Sequence, residues 1–239
     1  MNELTLIIGA IAGGLFPALA WLWFWRREDA SHPEPRKLIA LAFLAGMVAV
    51  AVVIPIQKFV AQYLVSTTAL FAVWSAIEEI TKYFAARITV LRRREDDEPI
   101  DPVIYMVTVA LGFAAVENTL FLLSPLSGET VIQTILTGNL RFVGATLLHV
   151  LSSSVIGVAL ALSFYKPKRE KHIYAFLGVI LAILLHAGFN FLILNTAEEY
   201  IMRTFGLVWL GLIALLAVLE YVKRIHPAIK AKFSKRPWQ

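Results

Sequence analysis

Seven apolar runs of about twenty residues, joined by short polar connections, leave this chain little choice of fold. A helix rises about 1.5 Å per residue and the hydrocarbon layer of a bilayer is about 30 Å thick, so each run is long enough to cross once. The runs lie near residues 4–25, 38–62, 68–90, 103–123, 140–164, 173–195 and 204–222. The expectation is an all-α, polytopic transmembrane helix bundle of about seven spans, forming a single integral membrane domain over 1–239. Its functional core is expected over about 68–195, with a basic cytoplasmic tail over 223–239. Composition agrees, because 59% hydrophobic and 16% charged residues are more apolar than a soluble domain of 239 residues can bury. The second run contains Pro55, followed by Gln57 and Lys58, and is expected to kink or end early there. A short helix over 130–138 is expected to lie along the membrane surface.

Lysine and arginine set the orientation. They cluster after the first, third and fifth runs (Arg26, Arg27, Arg36, Lys37; Arg92, Arg93, Arg94; Lys166, Lys168, Arg169, Lys171) and again in the tail, and are nearly missing from the other connections. The positive-inside rule then places the N-terminus outside and the C-terminus in the cytoplasm of a multi-pass protein of the cell membrane, with a prokaryotic cytoplasmic membrane as the expected setting. The formal charge of +5 is therefore a topology signal rather than a nucleic-acid surface. Cysteine is absent, which removes disulfides, thiolate nucleophiles and cysteine-ligated metals.

Within this apolar background the third run carries two adjacent glutamates, Glu78 and Glu79. A single carboxylate at mid-membrane costs roughly 2.5 to 3.5 kcal/mol on insertion scales, so a pair requires an internal polar pocket. Other runs supply candidates to line it: Glu117 and Asn118 in the fourth, His149 in the fifth, His186 and Asn190 in the sixth. Counted along their helices at 1.5 Å per residue, these groups fall in one layer roughly 10 to 15 Å below the outer surface. Four helices delivering polar groups to one depth point to a single constellation. Lys82 lies four residues after Glu78 and shares its face, which predicts that it offsets Glu78 and leaves Glu79 free. Small residues around these positions, including Gly112, Gly144, Ser152 to Ser154, Gly157 and Gly188, allow close helix approach. Taken singly, a histidine or asparagine here reads as a structural hydrogen bonder, and the serine run reads as a packing face.

Elimination narrows the chemistry. The four aspartates (Asp29, Asp96, Asp97, Asp101) fall in connections, so no membrane aspartyl dyad forms. Neither HExxH nor GxSxG occurs. Glutamates and histidines remain, and a buried carboxylate can take a proton from water while histidine or asparagine stabilises an oxyanion. A proton- or cation-coupled transporter would use similar groups, but the polar residues form one layer rather than a path, and no inverted repeat is evident. A small scaffold associating through GAIAGG (9–14) leaves the acidic pair unexplained.

The ordered motifs EEITK (78–82), FAAVEN (113–118), the histidine of RFVGATLLHVLSSSVIG (141–157) and HAGFN (186–190) resemble the PrsW-type intramembrane glutamic proteases. These belong to the clan of type II CAAX endopeptidases and bacteriocin-processing enzymes. The prenyl-protein branch of that clan carries EExxxR and FxxxH, whereas EExxK and FxxxE here resemble the PrsW branch. The resemblance implies an intramembrane endopeptidase that cleaves a single-span membrane protein or peptide, such as an anti-sigma factor, on the outer side. It implies catalytic roles for Glu78, Glu79, Glu117, His149, His186 and Asn190, with Lys82, Asn118 and Arg141 in support. On this reading a buried glutamate activates water and no cofactor is needed. The alternatives are a zinc ion held by Glu79, Glu117, His149 and His186, and a non-proteolytic member of the same clan.

Overall fold

A computed structural model describes residues 3–28, 32–123, 131–195 and 201–225, with backbone alone described at 3, 28, 131–143, 193–195 and 201–205. Seven helices follow one another: α1 (Glu3–Glu28), α2 (Arg36–Ala61), α3 (Thr67–Thr89), α4 (Asp101–Leu123), α5 (Val131–Leu162), α6 (Lys168–Asn195) and α7 (Ile201–Val222). Each apolar run has become one helix, and no strand occurs among the described residues. The protein is a helical membrane bundle. Among the described residues, α1, α2, α4, α6 and the 144–162 part of α5 are long and apolar enough to span a membrane on composition alone. Helix α3 differs because it carries Glu78, Glu79 and Lys82, the groups that define the site.

Helix α4 is the axis. Its residues from Asp101 to Ala115 are all buried, and it packs against α5, α1 and α2. A helix apolar on every side belongs at the centre of such a bundle. Its approach to α2 is backbone to backbone: a Cβ on Gly112 would stand 2.0 Å from the Phe43 carbonyl oxygen, and one on Gly46 would stand 2.0 Å from that of Val109. Around this pair, α3 packs on α2 and α6, and α6 packs on α5, so that α3 to α6 enclose a common space. Ser66 starts α3 by accepting the Ala69 N–H at 3.4 Å.

Three expectations need correction. Helix α2 does not end early but runs through Pro55 to Ala61, which carries Gln57 into the bundle. The segment expected to form a separate surface helix over 130–138 instead begins α5, which continues without a break from Val131. Asp101 also departs from its expected place in a connection. It lies in the first turn of α4, 1% exposed, and its Oδ2 accepts the N–H groups of Asp97 (2.8 Å) and Glu98 (2.6 Å).

Beside it, in the α3–α4 connection, Asp96 has a buried Oδ1 without a hydrogen-bond partner among the described residues. Burial and the charges of Asp101 and Asp97 push its carboxyl up to about 7, against the pull of Lys171. Between the unfolded value of 3.8 and about 7 the folded state holds the extra proton, so stability falls as pH rises through that window. Asp96→Asn is expected to raise Tm at pH 8 and to lose that advantage near pH 4. An equal gain at both pH values would contradict the assignment.

Candidate active site

Glu78, Glu79 and Lys82 lie on one turn of α3 and face inward, with Glu79 and Lys82 fully buried and Glu78 7% exposed. Facing them are His149 of α5 and His186 of α6, each 3% exposed, with ring centroids 5.1 Å apart and edge to face. Glu117 of α4 closes the group, its Oε2 2.5 Å from His149 Nε2. The structure thus brings together Glu78, Glu79, Lys82, Glu117, His149 and His186.

The two glutamates have different surroundings. Glu79 is enclosed: its Oε1 accepts from Lys82 Nζ at 2.7 Å, His186 Nδ1 at 2.8 Å and Ser152 Oγ at 3.0 Å, and its Oε2 accepts from Ser153 Oγ at 2.8 Å. Among the described residues Glu78 has one hydrogen bond, from Gln57 Nε2 to Oε1 at 2.9 Å. Its Oε2 is buried and lacks a hydrogen-bond partner among the described residues. The expectation that Glu79 is left free is overturned, since Lys82 Nζ bonds Glu79 Oε1 at 2.7 Å and stands farther, at 4.0 Å, from Glu78 Oε2. The serines and the imidazole converge on Glu79 from α5 and α6 and fix its carboxylate within reach of the ammonium, whereas Gln57 holds Glu78 from the other side.

The tautomers follow from these contacts. A carboxylate only accepts, so His186 carries a proton on Nδ1 toward Glu79, and its Nε2 stands 3.7 Å from Glu78 Oε2. His149 likewise presents Nε2–H to Glu117, and its Nδ1 lies 4.0 Å from Glu78 Oε2. That same Nδ1 accepts from Lys82 Nζ at 2.8 Å, and the ammonium also stands 4.5 Å over the Phe113 ring.

One carboxylate and two imidazoles form a donor set suited to zinc, and the donors of Glu78, His149 and His186 lie within 4.8 Å of one another. Two ligands of one tetrahedral zinc stand about 3.4 Å apart, so the separations to Glu78 Oε2 are longer by a few tenths of an ångström. Both rings are also held at the far nitrogen by a carboxylate, the outer support that metal-binding histidines use. The residues therefore fit a divalent ion, provided Lys82 keeps Glu79 and yields His149. This set differs from the expected zinc ligands Glu79, Glu117, His149 and His186: Glu79 is saturated by donors, and Glu117 bonds His149 Nε2, the ring nitrogen away from Glu78.

The remaining expected residues lie at the margin. Asn190 donates to Ser75 Oγ at 3.3 Å, linking α6 to α3. Asn118 donates to Thr146 Oγ1 at 2.9 Å and ties α4 to α5 as helix glue. The side chain of Arg141 lies outside the described residues. Three contributors were not expected. Gln57 carried no signal beyond being polar near a proline, and Ser152 and Ser153 read as packing residues in a run of small side chains. One turn from Ser75, a cleft of about 540 Å³ opens between α3 and α6, lined by Thr67, Thr68, Phe71, Ala72, Gly188 and Phe191 among others.

Known proteins similar to this chain are intramembrane proteases. Residues 34–219 match the family described as PrsW family intramembrane metalloprotease. The chain is 30% identical over 208 residues to Protease PrsW of Geobacillus kaustophilus (strain HTA426), covering 84% of this chain and 86% of that protein. It is 25% identical over 208 residues to Protease PrsW of Bacillus subtilis (strain 168), covering 84% and 92%. No solved structure matches. The description adds a metal to the expected glutamate chemistry, and the Glu78, His149 and His186 group offers such an ion three donors. The chain belongs to the PrsW family of intramembrane proteases, and it is a multi-pass membrane hydrolase acting on peptide bonds.

Proposed function

We propose that this protease cuts a membrane-spanning chain at a centre built on Glu78, His149 and His186, with Glu79 and Glu117 as the carboxylates that orient the rings. The observation that carries the reading is Glu78 Oε2, a buried acceptor that has no hydrogen bond among the described residues and faces two imidazoles. These three residues would hold a divalent metal, zinc by donor type, which when bound polarises a carbonyl and lowers the pKa of water. Glu79 keeps the His186 proton on Nδ1, so that Nε2 remains a lone pair directed at the centre. Glu117 does the same for His149 and, with its side chain 43% exposed, is the carboxylate of the group best placed to take a proton from water. The Asn190 amide, which rests on Ser75, is available to a substrate carbonyl. With the N-terminus outside, the centre lies in the outer half of the membrane, where a single-span substrate such as an anti-sigma factor would be cut.

One observation favours a second reading. Lys82 Nζ already occupies the His149 Nδ1 lone pair, so a metal-free centre in which Glu78 Oε2 itself takes the proton from water is also consistent with the contacts. Chelation separates the two. Treating the purified protease with 1,10-phenanthroline is expected to abolish cleavage of a single-span peptide, and zinc is expected to restore it. Cleavage that continues unchanged after the metal content has fallen to zero overturns the metal reading and leaves the glutamate one.

A further inference from the structure

We infer that Gln57 is a positioning residue for the hydrolytic centre: its amide holds Glu78 Oε1 and so keeps Oε2 turned toward His149 and His186. The inference rests on the proposed role of Glu78 and adds a residue from α2, a helix that supplies no other group to the centre. A carboxylate has acceptors only, so the contact at 2.9 Å has to come from the amide nitrogen, which fixes the orientation of the Gln57 side chain. It is the single hydrogen bond to Glu78 among the described residues, and the closest cation, Lys82 Nζ, stands 4.0 Å from Oε2. A carboxylate on three rotatable bonds would otherwise turn until the ammonium capped it. Gln57 prevents that rotation and keeps Oε2 without a hydrogen bond among the described residues, 3.7 Å from His186 Nε2 and 4.0 Å from His149 Nδ1. Because the support comes from beyond the first ring of ligands, it acts as an outer-shell group does at a metal centre.

Gln57→Leu keeps most of the side-chain volume and removes the donor. In the purified full-length protein, zinc affinity measured by competition with a chromophoric chelator is expected to weaken about 10- to 100-fold, the usual cost of losing an outer-shell partner. The kcat for a single-span peptide is expected to fall by a similar factor at unchanged KM, while the Tm of the metal-free protein stays at the wild-type value. Wild-type zinc affinity together with wild-type kcat overturns the inference, and so does a loss that merely follows a lowered Tm. If the wild type cleaves but binds no zinc, the metal assignment fails by itself. A drop in kcat at constant KM and Tm then still supports the positioning role, and an unchanged kcat still overturns it.

Discussion

Replacing Lys82 by methionine is expected to cost about 3 to 5 kcal/mol of stability, the range for breaking a buried ion pair from one side. Lys82 is fully buried, donates to Glu79 at 2.7 Å and to His149 at 2.8 Å, and lies over the Phe113 ring. Methionine matches its length and leaves the Glu79 carboxylate inside the bundle without a cation, a state far costlier than losing the pair altogether. Thermal unfolding in detergent should therefore show Lys82→Met strongly destabilised. The double variant Lys82→Met, Glu79→Gln should regain much of the loss, because both charges are then gone. A Lys82→Met protein as stable as the wild type would mean that the ion pair is not closed in the membrane-embedded protein.

Glu78→Gln is expected to do the reverse. The amide preserves shape, and among the described lysines and arginines none stands closer to Glu78 than Lys82 Nζ at 4.0 Å, so Tm should remain near wild type. It replaces the one anionic acceptor facing both imidazoles by a neutral group, and cleavage should fall by about 100-fold or more, the range attached to losing a positioned proton acceptor or its equivalent. Glu79→Gln, by contrast, should lose stability as well as activity, since it strands Lys82 and loosens His186. The two adjacent glutamates are thus separable by one pair of measurements, Tm and kcat. If both variants lose activity with no change in Tm, Glu79 is not the structural anchor that its four donors suggest.

What was legible in the sequence is what periodicity and membrane cost can dictate. Helix existence and approximate limits follow from apolar length, and the meeting of α3, α4, α5 and α6 follows from the expense of isolated carboxylates and imidazoles in lipid. What was not legible depends on rotation and reach. Whether Lys82 serves Glu78 or Glu79 is a choice between i,i+4 and i,i+3 on one helix, and it is settled by serines on another helix. Ser152 and Ser153 are chemically ordinary in a small-residue run, and only their position opposite Glu79 makes them ligands of a charge. Gln57 was hidden by Pro55, which looked like a helix end but is carried inside α2 because neighbouring helices can compensate a missing backbone bond.

The glycine contact between α2 and α4 has a mechanical consequence. With Gly46 and Gly112 set against opposing carbonyls, those two helices form a seam that can neither slide nor rotate without collision. Glu117 is thereby mounted on a fixed post, as is the Gln57 brace on the other side of the seam. The opposite wall has no such lock at its cleft: a Cβ on Gly188 of α6 would meet nothing within 4 Å, and the cleft beside α3 opens there.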